Sequence, residues 1–212
     1  ACSVLNRNYR KDVTLTPPIS IQKKLLSYSR DIEINIAFSE PKEKIVFPDF
    51  YDYLIISPLE FKDELQPLVD YKNNDGFDTI LFTLDDIPNK GSDKQESIKY
   101  FIKDAIEQWN VEYVLLVGGL KAVSFEWYVP VRYVKLDDGS GYPEFLSDLY
   151  FSDIYKADGT FEDWDSNSNG IFAEWTSTNR DVLDLVPDVA VGRLPCRNTR
   201  EVKIIVNKII SY

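Results

Sequence analysis

The sequence predicts an α/β fold in which helices flank a parallel β-sheet. Three short apolar runs, at residues 53–56, 79–82 and 113–117, have the length and continuous hydrophobicity of buried parallel strands. The longer segments between them carry apolar residues at helical spacing. Strands and helices that alternate in this way form right-handed βαβ units, so the three runs are predicted to lie side by side in one sheet.

The first helix is predicted to run from Pro58 to about Asn73. Ser57 and Glu60 have the spacing of a capping box, in which each side chain accepts a hydrogen bond from the other residue's backbone. Proline suits the first helical position because its missing N–H would have no partner there. Gly76 is expected to end the helix.

The second helix is predicted to run from Ser92 to about Gln108, with Gln95 at the capping-box position. Its apolar residues form one stripe that would face the sheet. They are Ile98, Phe101, Ile102, Ala105, Ile106 and Trp109.

A fourth short strand is predicted at residues 188–192, followed by a helix that opens at about Thr199. Asn198 and Glu201 form a third capping-box pair. The periodic pattern of this helix continues to Tyr212, so we expect the chain end to be a cleavage point or an artificial boundary.

Residues 1–48 differ from the rest, because four prolines interrupt short β-type runs there. Residues 32–36 alternate apolar and polar side chains with period two, as a half-buried strand does. The chain is therefore predicted to comprise a β-rich N-terminal extension, 1–48, and an α/β domain, 49–212.

Composition excludes several classes of function. The chain contains no histidine, so no Ser-His-Asp triad, Cys-His dyad or histidine metal site can be built from these residues alone. The net charge of −11 argues against nucleic-acid binding, which needs a basic face. No apolar run approaches the roughly 18 residues of a membrane-spanning helix, so no transmembrane segment is predicted. The two cysteines, Cys2 and Cys196, either pair with each other or remain free thiols.

Gly118 and Gly119 follow the third predicted strand, where nucleotide-binding folds place glycines near a phosphate. Neither phosphate-binding glycine pattern is present, so a tight turn at the strand end is the favoured interpretation.

Acidic residues are concentrated between residues 144 and 188, which hold eleven Asp or Glu but only two basic residues. Within this segment, oxygen-bearing side chains alternate before a glycine, as in the first half of an EF-hand-type loop. The sequence therefore predicts a structural calcium site, and Asp181 is a further candidate ligand; the alternative is an Asn- and Gly-rich turn without metal. The predicted ligands are Asp163, Asp165, Asn167, Asn169, Ile171 and Glu174.

Two other acids, Asp148 and Asp153, lie among aromatic residues. Carboxylates in such surroundings either orient a catalytic group or bind a metal, or they belong to a solvated loop. A nucleophilic role for Cys196 would require a histidine from outside this chain.

Four segments taken in order resemble the gingipain family of cysteine peptidases, which belongs to the caspase-like clan. They are residues 68–76 (LVDYKNNDG), 113–119 (YVLLVGG), 147–153 (SDLYFSD) and 187–195 (PDVAVGRLP). The similarity extends from about Tyr51 to the chain end.

The resemblance implies a caspase-like, flavodoxin-like parallel sheet that forms the first, non-catalytic subdomain of a peptidase. The catalytic His and Cys would then belong to a second subdomain, which is either part of the same protein or a separately processed chain. The present half would scaffold that catalytic subdomain, and it would line the cleft that binds a protein or peptide substrate. Structural calcium, secretion or cell-surface location, and a prodomain tail at 1–48 are also implied. The alternative is a calcium-stabilised, non-enzymatic surface or secretion-related binding module that has lost the catalytic dyad.

Overall fold

The computed structural model of the chain describes residues 50–137 and 144–212. The N-terminal extension predicted at 1–48, its strand at 32–36 and Cys2 lie outside these residues.

Within the described residues, the main sheet has four parallel strands in the order β2-β1-β3-β6. In chain order the strands are β1 (Tyr53–Ser57), β2 (Thr79–Thr83), β3 (Tyr113–Val117), β4 (Tyr133–Lys135), β5 (Glu144–Leu146) and β6 (Ala190–Leu194). Strands β4 and β5 form a separate antiparallel pair. The α/β class and the parallel sheet predicted from the sequence are confirmed.

In the part of the chain that the structure describes, three helices cover the two faces of this sheet: α1 (Lys62–Asn74), α2 (Lys94–Trp109) and α3 (Thr199–Ser211). Successive strand residues point to opposite faces, so Leu54 and Ile56 pack on one side of β1 while Ile55 packs on the other. Helix α2 covers the first side, and α1 and α3 pack together on the second.

The predicted start of the first helix is wrong. Ser57 is the last residue of β1, where it pairs with Thr83, and its hydroxyl donates to the carbonyl of Pro58 instead of capping a helix. Pro58 has an extended backbone with ψ of 153°, which keeps the chain out of the helix at that point. A single 3₁₀ turn, Leu59–Phe61, follows, and α1 begins only at Lys62.

The N-cap of the second helix lies one residue later than predicted. Asp93, not Ser92, is the N-cap, and its side chain accepts from the N–H of Glu96. The carboxylate of Glu96 accepts in turn from the N–H of Ser92. The cap predicted for the third helix is confirmed, since Asn198 accepts from the N–H of Glu201.

The last strand starts at Ala190, two residues after the predicted position. Asp188 is held outside the strand because its carboxylate accepts from the N–H groups of Ile154 and Tyr155. The segment between β5 and β6 is thereby fixed against the sheet, and it buries Tyr150 and Trp164 beside α2.

Candidate functional site

All four parallel strands end at the same edge of the sheet, which is where α/β proteins usually bind ligands. The strand order reverses between β1 and β3, because β1 has β2 on one side and β3 on the other. A groove with a volume of about 930 Å³ opens at this edge. Its walls come from the turns that follow β1, β2 and β3, and its floor includes Ser97 and Ile98 of α2.

The two glycines after β3 allow backbones to approach closely at this edge. Gly118 has a φ of +149°, and a Cβ atom on it would lie 2.7 Å from Cβ of Tyr128. The N–H of Gly119 donates to the carbonyl of Cys196, and a Cβ atom here would overlap the carbonyl of Pro195. The geometry supports the tight turn inferred from the sequence, and it brings the end of β3 onto the end of β6.

An ion pair joins two of the sequence segments that carry the family resemblance. Arg193 in β6 donates from Nε and Nη2 to the two oxygens of Asp148, at 2.7 and 2.8 Å. The Arg193 side chain is about nine-tenths buried, whereas one third of the Asp148 side chain is exposed. Such a two-bond pair fixes direction as well as distance.

Arg193 also holds the loop that follows β3. Its Nη1 donates to the carbonyls of Gly118 and Val129, at 3.0 and 2.8 Å, and its Nη2 donates to the carbonyl of Pro130 at 3.2 Å. One guanidinium therefore ties β6, the end of β3, the 129–130 segment and the 3₁₀ turn at Asp148 into one junction. Arg193 lies in the 187–195 motif of the sequence, but the motif alone did not predict that its side chain joins these segments.

Asp153 is fully buried, so a solvated acidic loop is the wrong interpretation for it. Its Oδ2 accepts from Nε1 of Trp164 at 2.7 Å. Burial raises the pKa of this carboxyl to about 6, although the Trp164 hydrogen bond and the nearby Lys99 work in the opposite direction. Lys99 of α2 is also fully buried, although it belongs to no motif of the sequence.

The residues of the predicted calcium loop do lie together. Asp165 accepts from the N–H groups of Asn169 and Gly170, at 2.9 and 2.8 Å, so the backbone curls around this carboxylate. The oxygen of Asn167 accepts from the N–H of Asn169, and Oδ1 of Asn169 accepts from the N–H of Ile171.

The two outer acids of the prediction make different contacts. Asp163 accepts from the N–H of Asp165, at 3.2 Å. Glu174 is buried, accepts from Nδ2 of Asn169 at 2.8 Å, and lies 3.9 Å from the ammonium of Lys135. The further candidate, Asp181, accepts from the N–H of Glu174.

No group of three or more His, Cys, Asp or Glu side chains within residues 50–137 and 144–212 has the spacing of a metal site. Calcium also binds amide and backbone carbonyl oxygens, which this loop offers at Asn167, Asn169 and Ile171. The donor types therefore fit calcium, and binding at this loop stays a prediction.

Cys196 carries a free thiol in the core between the sheet and α3. Burial, with a smaller effect from Glu201, raises the pKa of this thiol. Since only the thiolate is a good nucleophile, this environment suits packing and not attack on a peptide bond.

In the described part of the chain, no helix combines the length and apolar character needed to cross a membrane.

The chain belongs to a peptidase family: the model of the family described as Peptidase family C25 matches residues 48–212. The gingipain-type identification made from the sequence motifs is thereby confirmed. A search of curated proteins found no match.

Two solved structures from Porphyromonas gingivalis are similar to the chain. The first is dimeric latent PorU, with a TM-score of 0.53 and 18% identity over 77% of this chain. The second is the complex of the RgpB pro- and mature domains, with a TM-score of 0.48 and 21% identity over 76% of this chain. The chain spans only 16% of the PorU chain and 28% of the RgpB chain. The PorU similarity shows a shared fold.

Proposed function

We propose that this chain is the non-catalytic half of a gingipain-like cysteine endopeptidase, in which it scaffolds a catalytic subdomain and lines one side of the substrate cleft. The observation that carries the proposal is the junction at Arg193. It fixes the turns at the carboxyl edge of the sheet through one ion pair and three carbonyls, and catalysis requires such walls to hold a substrate in place.

The catalytic groups would come from a second subdomain. This chain has no histidine to act as a general base, and its Cys196 thiol is buried. A partner subdomain would supply a thiolate nucleophile and a histidine, and it would form the acyl-enzyme intermediate of a cysteine peptidase.

The edge strand β6 is the natural place for that subdomain to join. Within the described residues, β6 pairs with β3 on one side only. A strand added to its open edge would continue the sheet and would satisfy the unpaired backbone groups of the edge. Strand β6 also carries Arg193, the centre of the junction, so a movement of the subdomain at this edge would be transmitted to the cleft wall.

Calcium would stabilise the loop that ends near Glu174. Asp165 and Glu174 supply carboxylate oxygens, Asn167 and Asn169 amide oxygens, and Ile171 a carbonyl. A bound cation would offset the repulsion among acids that are concentrated between residues 144 and 188. Its role would be structural, because the loop lies outside the groove at the strand ends.

The natural setting would be secreted or at the cell surface, and the substrates would be proteins or peptides. Both expectations come from the family and apply to the complete peptidase.

The test compares this chain alone with the full product of its parent gene. Each is incubated with a library of fluorogenic peptides, with and without a thiol-alkylating reagent. We expect hydrolysis only by the full product, and we expect alkylation to abolish it. The variant Arg193→Lys in the full product should lower kcat/KM about tenfold, since misplacing a substrate wall is costly; Arg197→Lys, which alters an exposed arginine, should not.

Hydrolysis by this chain alone would contradict the proposal. A full product that lacks a His-Cys pair and cleaves nothing would instead favour the non-enzymatic binding module.

A further inference from the structure

The groove at the carboxyl edge of the sheet has walls that short-range contacts hold in place. The turn after β1 meets the segment after β3, because the ring centres of Phe61 and Tyr128 lie 4.8 Å apart. A hydrogen bond from Tyr128 to Glu60 joins the same two walls and raises the pKa of that tyrosine. In the wall after β2, the carboxylate of Asp86 accepts from the N–H and the hydroxyl of Thr83, at 2.9 and 2.7 Å. The groove is therefore formed before any ligand binds.

The wall after β3 is a hairpin over residues 120–127. Leu120 and Trp127 form an antiparallel bridge, and the N–H of Lys121 donates to the carbonyl of Glu126 at 2.8 Å. The guanidinium carbon of Arg193 lies 6.0 Å from the ring centre of Trp127. The residue that fixes the hairpin thus also adjoins the side chain that the hairpin presents to the groove.

Every wall of the groove presents an apolar side chain. Leu59 follows β1, Leu84 and Ile87 follow β2, and Trp127 belongs to the hairpin. Leu59 is 59% exposed, and the other three side chains are half-buried. Apolar side chains that converge on one preformed groove without filling it are the typical lining of a binding site.

The charged side chains of the groove largely offset one another. Among the residues that the structure describes, those in the lining are Glu60, Asp85, Lys94, Lys121 and Glu126. The hydrogen bond from Tyr128 occupies Glu60, and Lys121 pairs with Glu126 at 3.6 Å. The other two, Asp85 and Lys94, have opposite signs. Charge therefore gives the groove little selectivity, and its apolar walls determine what fits.

We propose that this groove binds a bulky apolar side chain of a peptide substrate, and that Trp127 is the specificity-determining residue. The inference rests on the proposed function, because it takes the occupant to be a peptide held by a peptidase. A leucine or phenylalanine side chain would lie against Trp127 and Leu59, and its burial would remove apolar surface from water. A charged side chain would lose its hydration against the same walls.

Trp127 is suited to this role because an indole ring offers a large, rigid contact area. Its backbone is fixed by the bridge to Leu120, so little order has to be gained on binding. Leu59 contributes from the opposite wall, and its exposure means that the fold does not depend on it.

The test uses the full product of the parent gene and fluorogenic peptides that carry Leu, Phe, Ser, Asp or Lys at one position at a time. At one position we expect kcat/KM to be about tenfold higher for Leu and Phe than for Ser. Trp127→Ala should reduce that ratio to about threefold or less, chiefly through KM. Leu59→Ser, a change at an exposed position, should reduce it in the same direction. Trp175→Ala removes a tryptophan that is 51% exposed and lies outside the groove, and it should keep the wild-type ratio.

The ratio is measured within each protein, so a partly folded variant does not imitate the effect. A product that cleaves peptides without an apolar preference, or that keeps its preference in both Trp127→Ala and Leu59→Ser, overturns this inference and leaves the proposed function standing.

A product that cleaves nothing overturns the proposed function instead. Binding of the same peptides, labelled with fluorescein and followed by polarisation, then decides the inference about the groove. Tighter binding of the Leu peptide than of the Ser peptide, lost in Trp127→Ala, would support it. Equal affinities for the two peptides would overturn it.

Discussion

The guanidinium of Arg132 holds the carboxylate of Asp93 through two hydrogen bonds, of 2.7 and 2.9 Å. The same carboxylate accepts from the N–H of Glu96 and so begins helix α2. Arg132 is almost fully buried, and it lies 3.6 Å from the ring centre of Phe172. One ion pair thus fixes the start of a helix and the approach to β4.

We expect this pair to contribute acid sensitivity. Burial acts to raise the pKa of Asp93, but the hydrogen bonds from Arg132 and Glu96 outweigh it, and the net pKa is lowered from 3.8. The unfolded state therefore binds the proton first as the pH falls, so the stabilisation is fully present well above pH 3.8 and is lost as the pH falls from there through the lower pKa of the folded state. Urea unfolding between pH 6 and 2 should show a shallower loss of stability for Asp93→Asn. The control Asp104→Asn, in an exposed pair with Lys90, should follow the wild type; equal slopes for all three proteins would contradict the assignment.

Arg193→Lys should destabilise the folded chain by about 3 kcal/mol, because a lysine cannot serve a carboxylate and three carbonyls at once. The free energy of unfolding in urea measures the effect. Arg197→Lys is the matched control: Arg197 and Glu201 form an exposed pair on α3, which is typically worth at most about 1 kcal/mol. Equal losses for the two variants would mean that the junction is not a stabilising element.

Gly119→Ala should lower stability by about 2 kcal/mol, because the added methyl group meets the backbone of Pro195 and neither strand end can move freely. For a chain of this length, that loss corresponds to a fall in Tm of about 4–8 °C. Gly192→Ala makes the same chemical change where the nearest atom is a side-chain carbon 3.9 Å away, and its Tm should stay close to that of the wild type. A mild Gly119→Ala variant would show that the two strand ends can separate.

Calcium removal should lower the Tm of the wild-type chain if the loop at Asp165 binds the ion, since a ligand that binds only the folded state stabilises it. A chelator should therefore shift the wild-type melt and leave Asp165→Ala unchanged. Asp184→Ala removes a neighbouring acid that is not among the predicted ligands, and it should retain the shift. A wild-type melt that does not respond to chelator would refute calcium binding.

Short-range sequence patterns correctly predicted three strands of the sheet and one helix cap. The apolar runs became strands β1, β2 and β3, and the exposed pair Asn198 and Glu201 formed the cap of α3 as expected. The cap at Ser57 failed because sheet pairing kept that residue in β1. Strand pairing with β2 thus took precedence over a favourable local motif.

The buried polar contacts could not be predicted, because each depends on residues distant in sequence. Lys99 adjoins the apolar stripe of α2, and only the covering segment with Tyr150 and Trp164 makes it a buried residue. Arg193 finds its carboxylate 45 positions earlier, at Asp148. The excess of acids and aromatic residues between 144 and 188 was the available signal. It predicted a cation site, and for Asp148 and Asp153 a catalytic, metal-binding or solvated role, but it did not predict pairing with Arg193 or with Trp164.

The Arg193 junction fixes the backbone beside the groove independently of most of the side chains that line it. The hydrogen bonds that Arg193 makes to the loop after β3 all end on main-chain oxygens, at Gly118, Val129 and Pro130. The guanidinium carbon also lies 6.0 Å from the ring centre of Trp127. Apart from Trp127, side chains between residues 120 and 128 can therefore change without loss of any of these contacts. The fold thus contains a replaceable segment whose two ends are anchored, and new recognition properties could be grafted onto it while the frame of the protein stays the same.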